Sequence, residues 1–228
     1  MERKKMYAKR KKGFSVITWL IIITSIISII GFIALNSSEE YIAYIALKPA
    51  NILQGNFIWT LLTHMFAHGG IGHLLINMFV LFSLGSLCEK IIGRKRFIWF
   101  YLISGIFAGI LSVTLSGFFG NTPWGARIFG SPDIYMVGAS GAIFAIAGLY
   151  VMLLPRLKFM IIFLPFFSLP AYIMVPFVLA VMWIVSIIFN WPIGNVAHFG
   201  GFLVGLIYGL YLKTKYRKKV AHLQQFFR

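Results

Sequence analysis

The feature that most constrains this chain is a series of uncharged apolar runs, several of them near the roughly 20 residues needed to cross a bilayer as a helix. Six can be drawn, over 14–35, 72–87, 97–118, 138–154, 171–189 and 196–212. Composition agrees, since 60% of the 228 residues are hydrophobic and only 11% are charged. Soluble domains carry about 25% charge, so an ordinary cytosolic enzyme is excluded. Disorder is excluded too, because it requires low hydrophobicity. The single Cys88 rules out an intrachain disulfide framework.

The net charge of +16 invites a nucleic-acid reading, but its distribution argues otherwise. With six spans, 19 of the 21 Lys and Arg residues fall on one side. Seven lie in 3–12, four in 90–96, Arg156 and Lys158 follow the fourth span, and six lie in 213–228. Only Lys48 and Arg127 fall on the other side. By the positive-inside rule both termini are cytoplasmic. The basic excess then orients the protein and touches acidic membrane lipid. With no base-stacking motif or zinc finger present, no nucleic-acid partner is expected. The run 14–35 is longer than a signal-peptide core and lacks a small-residue cleavage site, so it reads as a retained first helix. The division expected is a basic cytoplasmic tail over 1–13, a membrane domain over 14–212, and a second basic cytoplasmic tail over 213–228.

The outer connections are unusual. Residues 36–62 are long, apolar and tipped by Asn56-Phe57-Ile58-Trp59, a composition suited to lying in the outer interface. The connection 119–137 carries Pro123, Trp124 and Pro132, and the stretch 159–169 between prolines reads as a short interfacial or re-entrant piece.

Polar residues inside spans are costly, so each is a functional candidate. Three clusters stand out: His64-Met-Phe-Ala-His68-Gly-Gly-Ile-Gly-His73-Leu-Leu-Ile-Asn77, Gly138-Ala-Ser140-Gly-Ala, and Ala197-His198-Phe-Gly-Gly201 running on to Gly205 and Gly209. His73 and Asn77 are four apart and share a helix face. Counting up from the inner charges at about 1.5 Å per residue, Ser140 lies about 24 Å above Arg156 and His198 about 22 Å above Lys213. Asn77 and His73 lie about 20 and 26 Å above Lys90 by the same count. Three helices thus bring polar groups to one depth. A serine hydroxyl becomes a useful nucleophile when a neutral histidine takes its proton. Ser140 opens a helix, where backbone N–H groups lack intrahelical partners and the dipole favours negative charge. His73 and Asn77 add side-chain donors. Gly201, Gly205 and Gly209 are spaced for close helix packing.

These motifs, in this order, resemble the rhomboid family of intramembrane serine proteases, from about residue 50 to 212. The resemblance implies an all-α, six-helix membrane bundle with a membrane-embedded first loop. It implies a dyad of Ser140 as nucleophile and His198 as general base. His73, Asn77 and the Ser140 amide would form the oxyanion hole, and Gly138, Phe144 and Trp59 would support the substrate site. Glu89 would hold a structural hydrogen-bond site near the inner end of the second span. Two positions depart from the usual pattern: Thr60 follows Trp59 where many members have Arg, and Phe144 stands where a Tyr often stacks on the catalytic histidine. Substrates would be transmembrane segments of other membrane proteins, and no cofactor is required. The expected location is a prokaryotic plasma membrane, with the oligomeric state left open.

Other readings use the same residues differently. A catalytically inactive rhomboid-like protein would bind membrane clients without cutting them. A six-span metal transporter would use His64, His68 and His73, but the His-Glu-x-x-His motif is missing and no metal is expected. His64 and His68 are expected to bond the loop backbone. Asp133 is the only acid available to complete a triad, and the family pattern is a dyad.

Overall fold

The computed structural model describes residues 14–35, 41–161 and 164–227. The expected basic tail over 1–13, the start of the first loop over 36–40, and residues 162, 163 and 228 lie outside the described residues. Eleven α-helices are described: α1 Val16–Leu35, α2 Ile42–Ile45, α3 Pro49–Leu53, α4 Thr60–Thr63, α5 Ile71–Ile92, α6 Arg94–Phe119, α7 Pro123–Phe129, α8 Ser140–Leu153, α9 Ala171–Phe189, α10 Asn195–Lys215 and α11 Arg217–Gln225.

Five of them (α1, α5, α6, α9, α10) are long and apolar enough to cross a membrane. The sixth expected span, α8, has 14 residues. At 1.5 Å per residue that is about 21 Å, well short of the roughly 30 Å hydrocarbon core. It is also the most enclosed element. Ten of its residues are buried, so its length is set by packing against neighbours, not by contact with lipid.

Glycine decides how closely those neighbours approach. A Cβ on Gly201 would strike the Gly141 carbonyl, and one on Gly205 would strike the Ala145 carbonyl. From the other side, a Cβ on Gly148 would meet the backbone of Phe202 and Leu206. Helices α8 and α10 therefore touch backbone to backbone, which brings the start of one against the start of the other. Gly93 is the single residue between α5 and α6. Its φ of 85° is one that side chains resist, so the chain reverses there in the least space.

Three stretches are more ordered than the sequence alone shows. In the stretch 159–169, expected as a short interfacial or re-entrant piece, β1 Lys158–Ile161 pairs antiparallel with β2 Leu164–Pro170, a small hairpin beside a mostly helical bundle. The connection 119–137 contains α7, begun by Pro123 and capped by the Thr122 hydroxyl, which accepts from the Gly125 N–H. The segment 213–227 is helical for most of its length. Helix α10 runs on to Lys215, and α11 packs its Val220 into the core while Gln224 Nε2 donates to the Leu153 carbonyl at 3.0 Å.

Candidate active site

The first and third loops are stitched together by backbone. Leu47 and Met136 exchange N–H···O bonds of 3.0 and 2.7 Å, and the Ala50 N–H reaches the Pro132 carbonyl at 2.9 Å. One further bond, from the Gly138 N–H to the His64 carbonyl at 2.8 Å, fixes the turn that enters α8. Gly138 holds φ at +126°, and a Cβ there would lie 3.0 Å from the His73 ring. Only glycine suits both conditions. Immediately after that turn, Ser140 opens α8.

His198 projects from the first turn of α10 and is 6% exposed. Its Nε2 lies 2.8 Å from Ser140 Oγ. The Phe144 ring, one helical turn beyond Ser140, lies over the imidazole at 4.7 Å and 31° between planes. That contact fixes the ring's tilt with or without a hydroxyl at position 144. Among the described residues nothing bonds His198 Nδ1. Asp133 is not a third member of the set, because it is largely exposed and pairs with Lys48 at 3.5 Å.

Asn77 is buried and donates from Nδ2 to the His73 carbonyl at 2.9 Å. An amide carries two N–H groups, so one remains for another acceptor. A cavity of about 1110 Å³ opens over these groups, and Ser140, His198, His73, Asn77, Gly138 and Phe144 all line it. It continues between α5, at Ile76, Val80 and Leu84, and α9, at Met174, Val175 and Val178. Its lining beyond the polar cluster is mostly apolar.

The remaining expected residues lie elsewhere. Trp59 does not line this cavity; its Nε1 donates to the Tyr44 carbonyl at 3.0 Å and so pins the first loop to itself. Thr60, fully buried, donates to the Phe57 carbonyl at 2.7 Å. Gly201 and Gly205 act at the helix contact below the cavity. Glu89 is buried near the C-terminal end of α5. Its two oxygens accept from the Val16 and Ile17 N–H groups at 3.1 Å each, and Arg94 Nε lies 3.3 Å away. The carboxylate thus caps α1, which has no acidic residue in its own first turn, and it bears the ion pair as well.

The histidines of the first loop are committed to structure. His64 donates from Nδ1 to the Thr60 carbonyl at 2.8 Å. His68 departs from expectation, bonding the Ser28 hydroxyl of α1 at 3.0 Å, while Ser28 donates onward to the Phe66 carbonyl. Among the described residues no three His, Cys, Asp or Glu side chains converge. Arg127 was not singled out by sequence reasoning as a site residue, and it lines the cavity. No sequence signal separates it from Lys48, the cation of the first loop.

With this geometry in view, the chain's kinship follows. A family model described as the Rhomboid domain matches residues 55–215, and the chain belongs to that family. Together with its long apolar helices this makes it an integral, multi-pass membrane protein. It is 26% identical over 217 residues to the rhomboid protease GlpG of Haemophilus influenzae, covering 94% of this chain and 97% of that one. It is 36% identical over 126 residues to the rhomboid protease GluP of Bacillus subtilis, covering 54% of this chain and 22% of that protein. It is 34% identical to the mitochondrial RHOMBOID-like protein 6 of Arabidopsis thaliana, covering 73% of this chain and 48% of that one. The chain therefore spans nearly all of the first relative and less than half of the other two.

Proposed function

We propose that this protein is an intramembrane serine endopeptidase that cleaves transmembrane segments of other membrane proteins. The observation that carries this reading is the 2.8 Å contact between Ser140 Oγ and His198 Nε2 on the wall of a large, mostly apolar cavity. The family relationship and the protease names of the relatives support it.

The chemistry follows from the side chains. His198 Nε2 accepts the Ser140 hydroxyl proton as Oγ bonds to the scissile carbonyl carbon. Negative charge moves to the carbonyl oxygen, where the first-turn N–H of Ser140, the Asn77 amide and His73 supply donors. The C–N bond then breaks, and the leaving nitrogen takes the proton from His198, which leaves an acyl ester on Ser140. In the second half a water gives its proton to His198 and adds to the ester carbon. The C–O bond breaks and the proton returns to Ser140. Nothing in this cycle calls for a cofactor.

A membrane helix keeps its carbonyls hydrogen-bonded internally, so the substrate must unwind locally before Ser140 can reach one. The mostly apolar gap between α5 and α9 suits lateral access of such a segment from lipid. In this reading α8 is a short sixth span, both termini face the cytoplasm, and the membrane is a prokaryotic plasma membrane.

The test is cleavage of a model transmembrane substrate in proteoliposomes by the wild type and by Ser140→Ala and His198→Ala. Each variant is expected to lose at least about 10³-fold in rate, the scale on which such paired groups act. Persisting cleavage in either variant overturns the assignment.

A further inference from the structure

Charge inside the substrate cavity is scarce. Among the residues that line it, Arg127 is the only Lys, Arg, Asp or Glu. The other outer cation, Lys48, is neutralised by Asp133 at 3.5 Å. No described carboxylate pairs with Arg127. Its guanidinium instead lies 5.6 Å from the Trp124 ring centroid, a contact that directs a cation without discharging it.

Its position is well fixed. Helix α7 is capped at Thr122, and Gly125 packs so closely on the Phe119 backbone that a Cβ would collide with it. One residue past Arg127, the Ile128 carbonyl accepts from Trp183 Nε1 of α9 at 2.9 Å. Pro123, Ala126, Ile128 and Phe129 of the same short helix share the cavity wall. A cation with no carboxylate partner among the described residues therefore stands on the cavity wall that Ser140 also lines, braced through α7 against α9. Its side chain is exposed at that wall, so an incoming segment can reach it.

We propose that Arg127 is a specificity-determining residue that selects substrates carrying an acidic side chain on the outer side of the scissile bond. This rests on the peptidase reading and adds a substrate class to it. A carboxylate there gains an ion pair with the guanidinium, and a Lys or Arg at the same place meets like charge. Selection by repulsion is as much part of this as attraction.

The experiment uses one model transmembrane segment with Asp, Asn or Lys placed in turn at each of the five residues outside the cut. Wild type is expected to prefer Asp over Asn by about threefold in kcat/KM at one position or more, the scale of an exposed ion pair. The Asp-to-Asn ratio should fall to near one in Arg127→Ala. In Arg127→Glu the preference should pass to Lys. The same substrates are titrated onto Ser140→Ala by fluorescence anisotropy, reading the Kd ratio without any cleavage. Failure of wild type to cut any substrate, with the Kd preference intact, sinks the peptidase reading and leaves the charge selection standing. Equal Kd and equal kcat/KM for Asp, Asn and Lys overturn the role of Arg127. So does a preference that survives in Arg127→Glu, as it would if the guanidinium met only lipid phosphates.

Discussion

At the scale of single residues, the site depends on one backbone angle as much as on its reactive groups. Gly138 turns the chain into α8 at φ +126°, with the His73 ring against its Cα. Gly138→Ala is expected to cost about 1–3 kcal/mol in backbone strain and to displace His73. Activity should fall more than stability, a split that kcat measured beside a thermal midpoint will show. The pairing of Ser140 with His198 is legible in sequence, because depth can be counted along helices that begin or end at charged borders. The resemblance marks Glu89 as a structural hydrogen-bond site, but the helix it caps is not legible. Its partners, the N–H groups of Val16 and Ile17, lie 73 and 72 residues away, and nothing local marks a carboxylate that serves another helix. Ser28 and His68, 40 residues apart, escape detection for the same reason. Replacing Glu89 with Ala should remove about 1–2 kcal/mol of stability through the lost cap alone, and measurement of unfolding in detergent checks it.

Elements are held by approach distance, not by length. The packing of α8 on α10 is readable from Gly201, Gly205 and Gly209, since small residues at helical spacing signal close approach. Gly205→Val places branched carbons where the Ala145 carbonyl already sits. About 3 kcal/mol of destabilisation is expected from such overpacking. The helices would also separate near the start of both, so fluorophosphonate reactivity should drop in the protein that remains folded. A milder result, with full reactivity, would mean that the two backbones can part without disturbing the site. Less of the connecting structure is legible. The hairpin of β1 and β2 hides in an apolar, proline-bounded stretch without alternation, and α7 is a short helix whose Pro123 reads equally well as a loop residue. Helix α11 escapes because its basic residues dominate the composition, while its docking rests on Val220 and Gln224.

For the whole molecule, one count of charges and one list of apolar runs suffice to imply a membrane bundle with a defined orientation. The same count predicts which positions face outward. Cysteines placed at Lys48 and Arg127, with buried Cys88 retained, should react with an impermeant maleimide added outside intact cells. Cysteines at Lys95 and Lys218 should react only after permeabilisation. Reaction of Lys218→Cys from outside would invert the topology. What the sequence does not reveal is the tie between the first and third loops, made by backbone groups of Leu47, Met136, Ala50 and Pro132, because backbone pairing between irregular segments leaves no side-chain pattern. That tie follows directly after α7, whose Arg127 lines the cavity. The central claim remains that Ser140 is made nucleophilic by His198, and covalent trapping tests it most directly. Wild-type protein treated with a fluorophosphonate, digested and mapped by tandem mass spectrometry should carry a single adduct on Ser140, with labelling lost in His198→Ala. An adduct on another residue, or full labelling of Ser140 without His198, would contradict the account.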